Sequence, residues 1–368
     1  MESRPALRVV IAGGGTGGHL FPGIAVAREL LARRPDAQVT FAGTARGIES
    51  RVVPREGFSL DLIRSGGLKG KSPGARLRGA ALVPLGLVDS WRILTARRPH
   101  LVVGVGGYSS GPVVLVAALR GVATMLLEQN AVPGLTNRLL APFVRAAAVT
   151  FTSTGAFFGS KAFVSGNPVR PEFLTDVGPS TAEADDRSTS TNVLVVGGSQ
   201  GAHAINVAMV EAIPQLASKK GELRITHQTG DRDLEMVRAA YRTAAMEVVA
   251  EPFLYDMGRR LRQADIVICR AGATALAEIA VAAKAAILIP LPTAADDHQR
   301  KNAEALAAAG AAEVLLQSQA TGQELAARVL AMAADRDRRA RMSEAARRLA
   351  RPDAAKLVVD RALELAES

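Results

Sequence analysis

Short apolar runs rich in Val and Ile, each closed by glycine, alternate along the chain with longer Ala/Leu/Arg stretches whose apolar residues recur at helical spacing. The short runs predict strands at Arg8–Ala12, Gln38–Gly43, Leu101–Val105, Ala123–Leu127 and Ala147–Phe151. After residue 192 the pattern restarts, with strands predicted at Val193–Val196, Arg224–Gln228, Met246–Ala250, Ile266–Cys269 and Ala286–Pro290. Strands that are apolar throughout, separated by helices, are expected of parallel sheets buried on both faces. Between the two series, Gly178–Asn192 (GPSTAEADDRSTSTN) has no large apolar residue and reads as a linker or exposed loop. The expected organisation is a first domain over 1–175, a linker over 176–191 and a second domain over 192–368. The last helical segment, Thr321–Leu365, is expected to pack on either domain. Each half opens with an apolar strand running into a glycine-rich turn, RVVIAGGGTGGH and NVLVVGGSQGAH. The predicted fold class is therefore α/β, with two Rossmann-like domains facing across a cleft at the C-terminal ends of their strands.

The glycine turns carry the first chemical signal. Gly13–Gly18, followed by His19, lies between a predicted strand and the helical run Phe21–Leu31, so backbone N–H groups and a helix N-terminus would face an anionic or polar ligand. A dinucleotide-binding domain would carry an acidic residue at the end of the second strand to take the ribose hydroxyls. Here that strand, VTFAGT, ends at Thr44 without one, and no Gly-Lys-Ser/Thr closes the loop as in a P-loop. Three more glycine-rich loops follow predicted strands: GVGGYSSGP at 104–112, GGSQGA at 197–202 and CRAGATALAE at 269–278. In the last, Arg270 beside a helix N-terminus suits a diphosphate, and Glu278 on that helix suits ribose hydroxyls.

Composition narrows the class. With 48% hydrophobic and 22% charged residues the chain is expected to fold as a globular protein. Its one Cys excludes an internal disulfide framework or a Cys-based zinc site and fits a reducing compartment; Cys269 is expected to be a buried strand thiol. The start, MESRPALRVVIAGGG, lacks the pattern of a secretion signal, and no apolar tract is long enough to span a bilayer. The net charge of +10 sits in the first half, where residues 1–178 hold 21 Lys and Arg against 10 Asp and Glu, with 24 against 25 in the rest. Such asymmetry points to a polyanion or an anionic membrane. Nucleic acid is disfavoured, because aromatics are only 4% and no nucleic-acid motif is present. Within residues 63–92, Lys69, Lys71, Arg76 and Arg78 accompany apolar residues that include Leu85 and Trp91. That cationic amphipathic segment is expected to lie in a headgroup layer.

Together GGGTGGHLFPGIA, GGYSSGP, LLEQNAVPGLTNR, SGNPVR, GGSQGA, CRAGATALAEIA and LPTAADDHQRKNA resemble the MurG family of peptidoglycan glycosyltransferases, in the family's order from about Val9 to Ala303. The resemblance implies the GT-B architecture and transfer of N-acetylglucosamine from UDP-N-acetylglucosamine to lipid I, giving lipid II. It further implies a peripheral location on the cytoplasmic face of the bacterial plasma membrane, with no metal or other cofactor. It marks His19, Glu128 and Asn130 as candidate catalytic residues, His19 as the base and Glu128 and Asn130 facing the cleft. For the donor it marks Thr16, Gly17, Gly18, Asn130, Arg170, Ser199, Leu254 (at a position whose backbone contacts the uracil), Arg270, Ala273, Glu278 and Gln299. For the acceptor diphosphate it marks Gly14, Gly15, Tyr108, Ser109 and Ser110. A related transferase using another nucleotide sugar or lipid acceptor, or a sugar-nucleotide-binding regulator without catalysis, would carry similar loops.

Overall fold

The computed structural model describes residues 6–66, 73–174, 190–198 and 201–367, with the backbone alone over 73–81. The chain divides into two compact units, Met1–Arg170 with Arg351–Ser368, and Pro171–Ala350. Lys69, Lys71, Ser199 and nearly all of the expected linker lie outside the described residues; Thr191, at the linker's expected end, already opens a strand.

The first unit is built on seven strands: β1 (Arg8–Gly13), β2 (Gln38–Gly43), β3 (Ser59–Leu62), β4 (Leu101–Gly106), β5 (Ala123–Glu128), β6 (Ala146–Val149) and β7 (Ala162–Val164). They pair in parallel in the order β3-β2-β1-β4-β5-β6-β7. Alternation of side chains along each strand divides its apolar run between two faces. Val9, Ile11, Leu101 and Val103 enter one core, while Val10, Ala12, Val102 and Leu126 enter the other with Val113, Val114 and Leu94 from the covering helices. A strand buried on both faces needs no polar positions, which is why the runs were legible as sequence.

The second unit holds β8 (Thr191–Val196), β9 (Leu223–Gln228), β10 (Val248–Glu251), β11 (Ile266–Cys269), β12 (Ala285–Leu288) and β13 (Ala312–Val314), parallel in the order β10-β9-β8-β11-β12-β13. In both sheets the order reverses beside the opening strand, at β1/β4 and at β8/β11, and such a switch point leaves a crevice at the strands' C-terminal ends.

Most strand boundaries differ from the sequence reading by one or two residues, and two of the differences have a clear local cause. Expected at Met246–Ala250, β10 begins only at Val248, because the Met246 N–H donates to Tyr241 O and finishes the preceding helix. Phe151, expected in β6, instead precedes the helix Thr152–Phe158. The segment Thr321–Leu365 is three helices. Thr321 caps Gly322–Ala334 by accepting the Glu324 N–H, and Asp335 caps Arg336–Leu349 by accepting that of Arg338. Ala354–Glu367, the third, buries Val358, Val359, Ala362 and Leu365 in the core of the first unit.

The second unit also buries a titratable group away from its loops. His227 on β9 is fully buried between Asn206 Oδ1, 3.0 Å from Nε2, and the Tyr241 hydroxyl, 3.3 Å from Nδ1. Burial drives its pKa down to about 4. The folded form therefore holds the imidazole neutral while the unfolded chain takes up a proton below about pH 6.5. Stability from this group is present above that pH and declines by about 3 kcal/mol as the pH falls towards 4. Urea midpoints at pH 7.5 and 4.5 check this: His227→Gln, which cannot protonate, should lose less stability on acidification than the parent.

Candidate active site

In the first unit the marked residues of the glycine loops and of LLEQN follow β1, β4 and β5, which are neighbours in the sheet. The β1–β4 register slips after Ala12, so that Gly13 pairs with Gly106 and the two loops meet at once. A Cβ on Gly107, at φ +78°, would lie 2.5 Å from Gly14 O, so only glycine lets the loops approach this closely. Thr16, in extended conformation, caps the helix Gly17–Arg33, and its carbonyl accepts the N–H groups of His19 and Leu20. The His19 ring lies against Gly106, where a Cβ would be 2.8 Å from Cδ2, and its Nδ1 is 3.2 Å from Thr16 Oγ1. When Nδ1 carries the proton and donates it to Thr16, Nε2 is the basic nitrogen. Tyr108 is partly exposed, its ring beside Gly15, whereas Ser109 and Ser110 are buried and the Ser110 hydroxyl donates to Gly107 O.

Glu128, expected to face a cleft, is only 2% exposed. Oε1 accepts the Asn130 N–H at 3.0 Å, and Oε2 accepts the Gly134 N–H and Asn137 Nδ2, each at 2.9 Å. Burial raises its pKa, and these bonds oppose the rise. Its carboxylate thus shapes the loop that carries Asn130. Arg170 closes the unit with its guanidinium 4.5 Å above the Phe21 ring, which ties it to the helix of the first glycine loop.

A residue that the sequence reading passed over also belongs here. Glu49 is fully buried and reaches back to the end of β2, where no acid was expected, to accept the N–H groups of Thr44 and Gly15. No local pattern announces it, since the bond to Gly15 spans 34 residues.

In the second unit the marked residues again follow strand ends. Gln228, at the end of β9, donates Nε2 to Gly198 O at 2.9 Å and so braces the third glycine loop. Asn206 donates to Thr229 O and Asp233, and Asp233 also meets His203 at the start of the helix His203–Leu216. Arg270 follows β11 with Nη1 on the carbonyls of Ile289 and Pro290, at 3.0 and 3.3 Å, and burial lowers its pKa. Ala273 opens the helix Ala273–Val281, and Glu278 sits half-buried in its second turn. Leu254, 2% exposed, follows β10. Gln299, in the first turn of His298–Ala308, accepts the Leu291 N–H through Oε1 at 3.0 Å. Cys269 is buried, with its thiol pushed up to about 12 by desolvation, which leaves it unreactive. Among the described residues no group of three or more His, Cys, Asp or Glu side chains is arranged to hold a metal ion.

Residues 9–149 match the glycosyltransferase family 28 N-terminal domain and residues 192–358 its C-terminal domain. A UDP-N-acetylglucosamine--N-acetylmuramyl-(pentapeptide) pyrophosphoryl-undecaprenol N-acetylglucosamine transferase of Pelobacter propionicus is 47% identical, over 97% of this chain and 99% of its own. One of the same name from Anaeromyxobacter sp. is 48% identical over 98% and 93%. The chain belongs to the MurG family.

The crystal structure of MurG from Acinetobacter baumannii agrees, with a TM-score of 0.78, 32% identity and coverage of 97% of this chain and 99% of that one. In this MurG-family chain the part of the segment marked for the membrane that follows residue 72 lies in the helix Pro73–Arg97. Arg76 and Arg78 lie on its backbone, and further along Val83, Leu85, Val88 and Trp91 are exposed, Leu85 by 39% and Trp91 by 57%. Arg120 places its guanidinium 4.6 Å above the Trp91 ring. Among the described residues no helix is long and apolar enough to cross a membrane.

Proposed function

We propose that this chain transfers N-acetylglucosamine, with inversion, from UDP-N-acetylglucosamine to lipid I, the N-acetylmuramyl-(pentapeptide) pyrophosphoryl-undecaprenol, and so forms lipid II for peptidoglycan. The near end-to-end match to transferases of that name carries the reading. A hydroxyl of the acceptor sugar attacks the anomeric carbon, a C–O bond forms as the bond to the UDP oxygen breaks, and UDP leaves with the electron pair. His19 Nε2 takes the hydroxyl proton, held in orientation by Thr16. Gly14, Gly15 and Tyr108 border the acceptor diphosphate, and Glu128 acts indirectly by fixing the loop of Asn130. In the second unit Arg270, the third glycine loop with Ser199, and the helix N-terminus at Ala273 stabilise the charge that develops on the departing diphosphate. Glu278 takes the ribose hydroxyls, Gln299 the sugar and the Leu254 backbone the uracil. Arg170 adds positive charge beside the first glycine loop.

Access to a lipid-linked acceptor requires the enzyme to sit at the bilayer. The exposed apolar residues of Pro73–Arg97, with the cationic residues at and before its start, support peripheral attachment to the anionic cytoplasmic surface of the plasma membrane.

Labelled UDP-N-acetylglucosamine and a soluble lipid I analogue test the function, and transfer to the analogue is the expected result. In the same assay Glu278→Ala should weaken donor binding by about 2 kcal/mol, roughly 30-fold in Kd, with a smaller effect on acceptor KM. Donor binding without transfer to any acceptor would instead favour a regulator, and unchanged donor affinity in the variant would remove Glu278 from the ribose.

A further inference from the structure

We propose that Glu49 is the positioning residue of the acceptor site: its buried carboxylate locks the first glycine loop so that Thr16 and His19 are presented to the acceptor sugar. The inference rests on the reading of His19 as the base.

Glu49 opens the short helix Glu49–Arg55 that follows β2, yet its side chain turns back towards β1. Oε2 accepts the Gly15 N–H at 2.7 Å, while Oε1 accepts the Thr44 N–H at 2.9 Å and the Thr44 hydroxyl at 2.8 Å. Glycines wall the carboxylate on three sides. A Cβ added at Gly14, Gly43 or Gly47 would fall 2.5, 2.6 or 2.1 Å from a Glu49 side-chain atom. The chain thus leaves a cradle in which one carboxylate fits and no further carbon does.

From the cradle the constraint runs outward along the backbone. Gly15, at φ +85°, is held by its N–H, the next residue is Thr16, and Thr16 receives the first N–H groups of the helix and meets His19 Nδ1. A shift of Gly15 therefore moves both the Thr16 hydroxyl and the ring that it orients. The same contact bears on specificity. In dinucleotide-binding sheets an acid at the end of the second strand reads ribose. Here the acid near that end is turned onto the loop, where its oxygens accept the Gly15 and Thr44 N–H groups instead of ribose hydroxyls. The first unit is thereby adapted to an acceptor that is not a nucleotide.

The test uses the full chain with UDP-N-acetylglucosamine and a soluble lipid I analogue, reading kcat, KM for each substrate, donor Kd and Tm. Glu49→Gln puts an NH2 against one of the two backbone N–H donors. It should lower acceptor kcat/KM by about 10- to 100-fold, the scale of a small displacement of a catalytic group, with donor Kd within about twofold of the parent. Gly47→Ala should reach the same result by pushing the carboxylate out, and in a Glu49→Ala background it should add nothing. Thr44→Val, which removes the hydroxyl donor but leaves both backbone N–H contacts, should cost less than Glu49→Gln. If Glu49→Gln does not fold, Gly47→Ala alone and in the Glu49→Ala background decides the question. Parental acceptor kinetics in Glu49→Gln, an equal loss of donor affinity, or additive losses in the double variant would each overturn the assignment. Parental turnover in His19→Ala would instead retire the base, and with it the route from Glu49, so the two failures are distinguishable.

Discussion

His19→Ala is expected to lower turnover by about 10²- to 10⁴-fold, the usual worth of a positioned general base, with UDP-N-acetylglucosamine affinity close to parental. The split follows from placement. His19 belongs to the first unit, beside the ends of β1 and β4, whereas Arg270, Glu278 and Gln299, the residues proposed for the donor, belong to the second. The contacts that hold the ring include the Thr16 hydroxyl at Nδ1 and its seat against Gly106. Thr16→Val removes only the first, so it should cost about tenfold, less than loss of the imidazole. Single-turnover kinetics with saturating donor, beside a titration with UDP, separates the two effects. Near-parental turnover in His19→Ala would leave the residue a helix-cap group that fixes the loop.

The second large effect concerns the membrane. Reversing Lys69, Lys71, Arg76 and Arg78 to Glu should remove about 4 kcal/mol of attraction to anionic lipid, roughly 10³-fold in partitioning, before any repulsion is added. Sedimentation with vesicles containing anionic lipid should therefore show binding collapse, and turnover of long-chain lipid I in those vesicles should fall with it. Turnover of a water-soluble acceptor should persist, because the four positions lie outside the glycine loops. The apolar share is separable through Leu85→Ser with Trp91→Ser. Both side chains are exposed, and their loss should weaken binding even in high salt, where the charge term is screened. Trp91→Ser also removes the ring beneath Arg120, so thermal stability should be followed alongside. If both variants bind vesicles as the parent does, the helix is an ordinary covering element of the first sheet.

Sequence alone determined the strands on either side of each switch point and the loops that follow them. The physical reason is burial on both faces, which forces the central positions of β1, β4, β8 and β11 to be apolar, and close backbone approach, which forces glycine after β1 and β4. The edge strands β3, β7 and β13 escaped notice because they are three or four residues long and incompletely buried, so no periodicity develops. The apolar stripe of Ala354–Glu367 was visible, but which unit it would cover was not, since an amphipathic helix states only that it needs a partner. Tertiary structure alone turned Glu128 inward to organise a loop, seated His19 on Gly106, and brought Glu49 to Gly15. Each of these depends on which strands become neighbours, and the order of strands in a sheet is decided by packing between segments far apart in the chain rather than by any segment's own pattern.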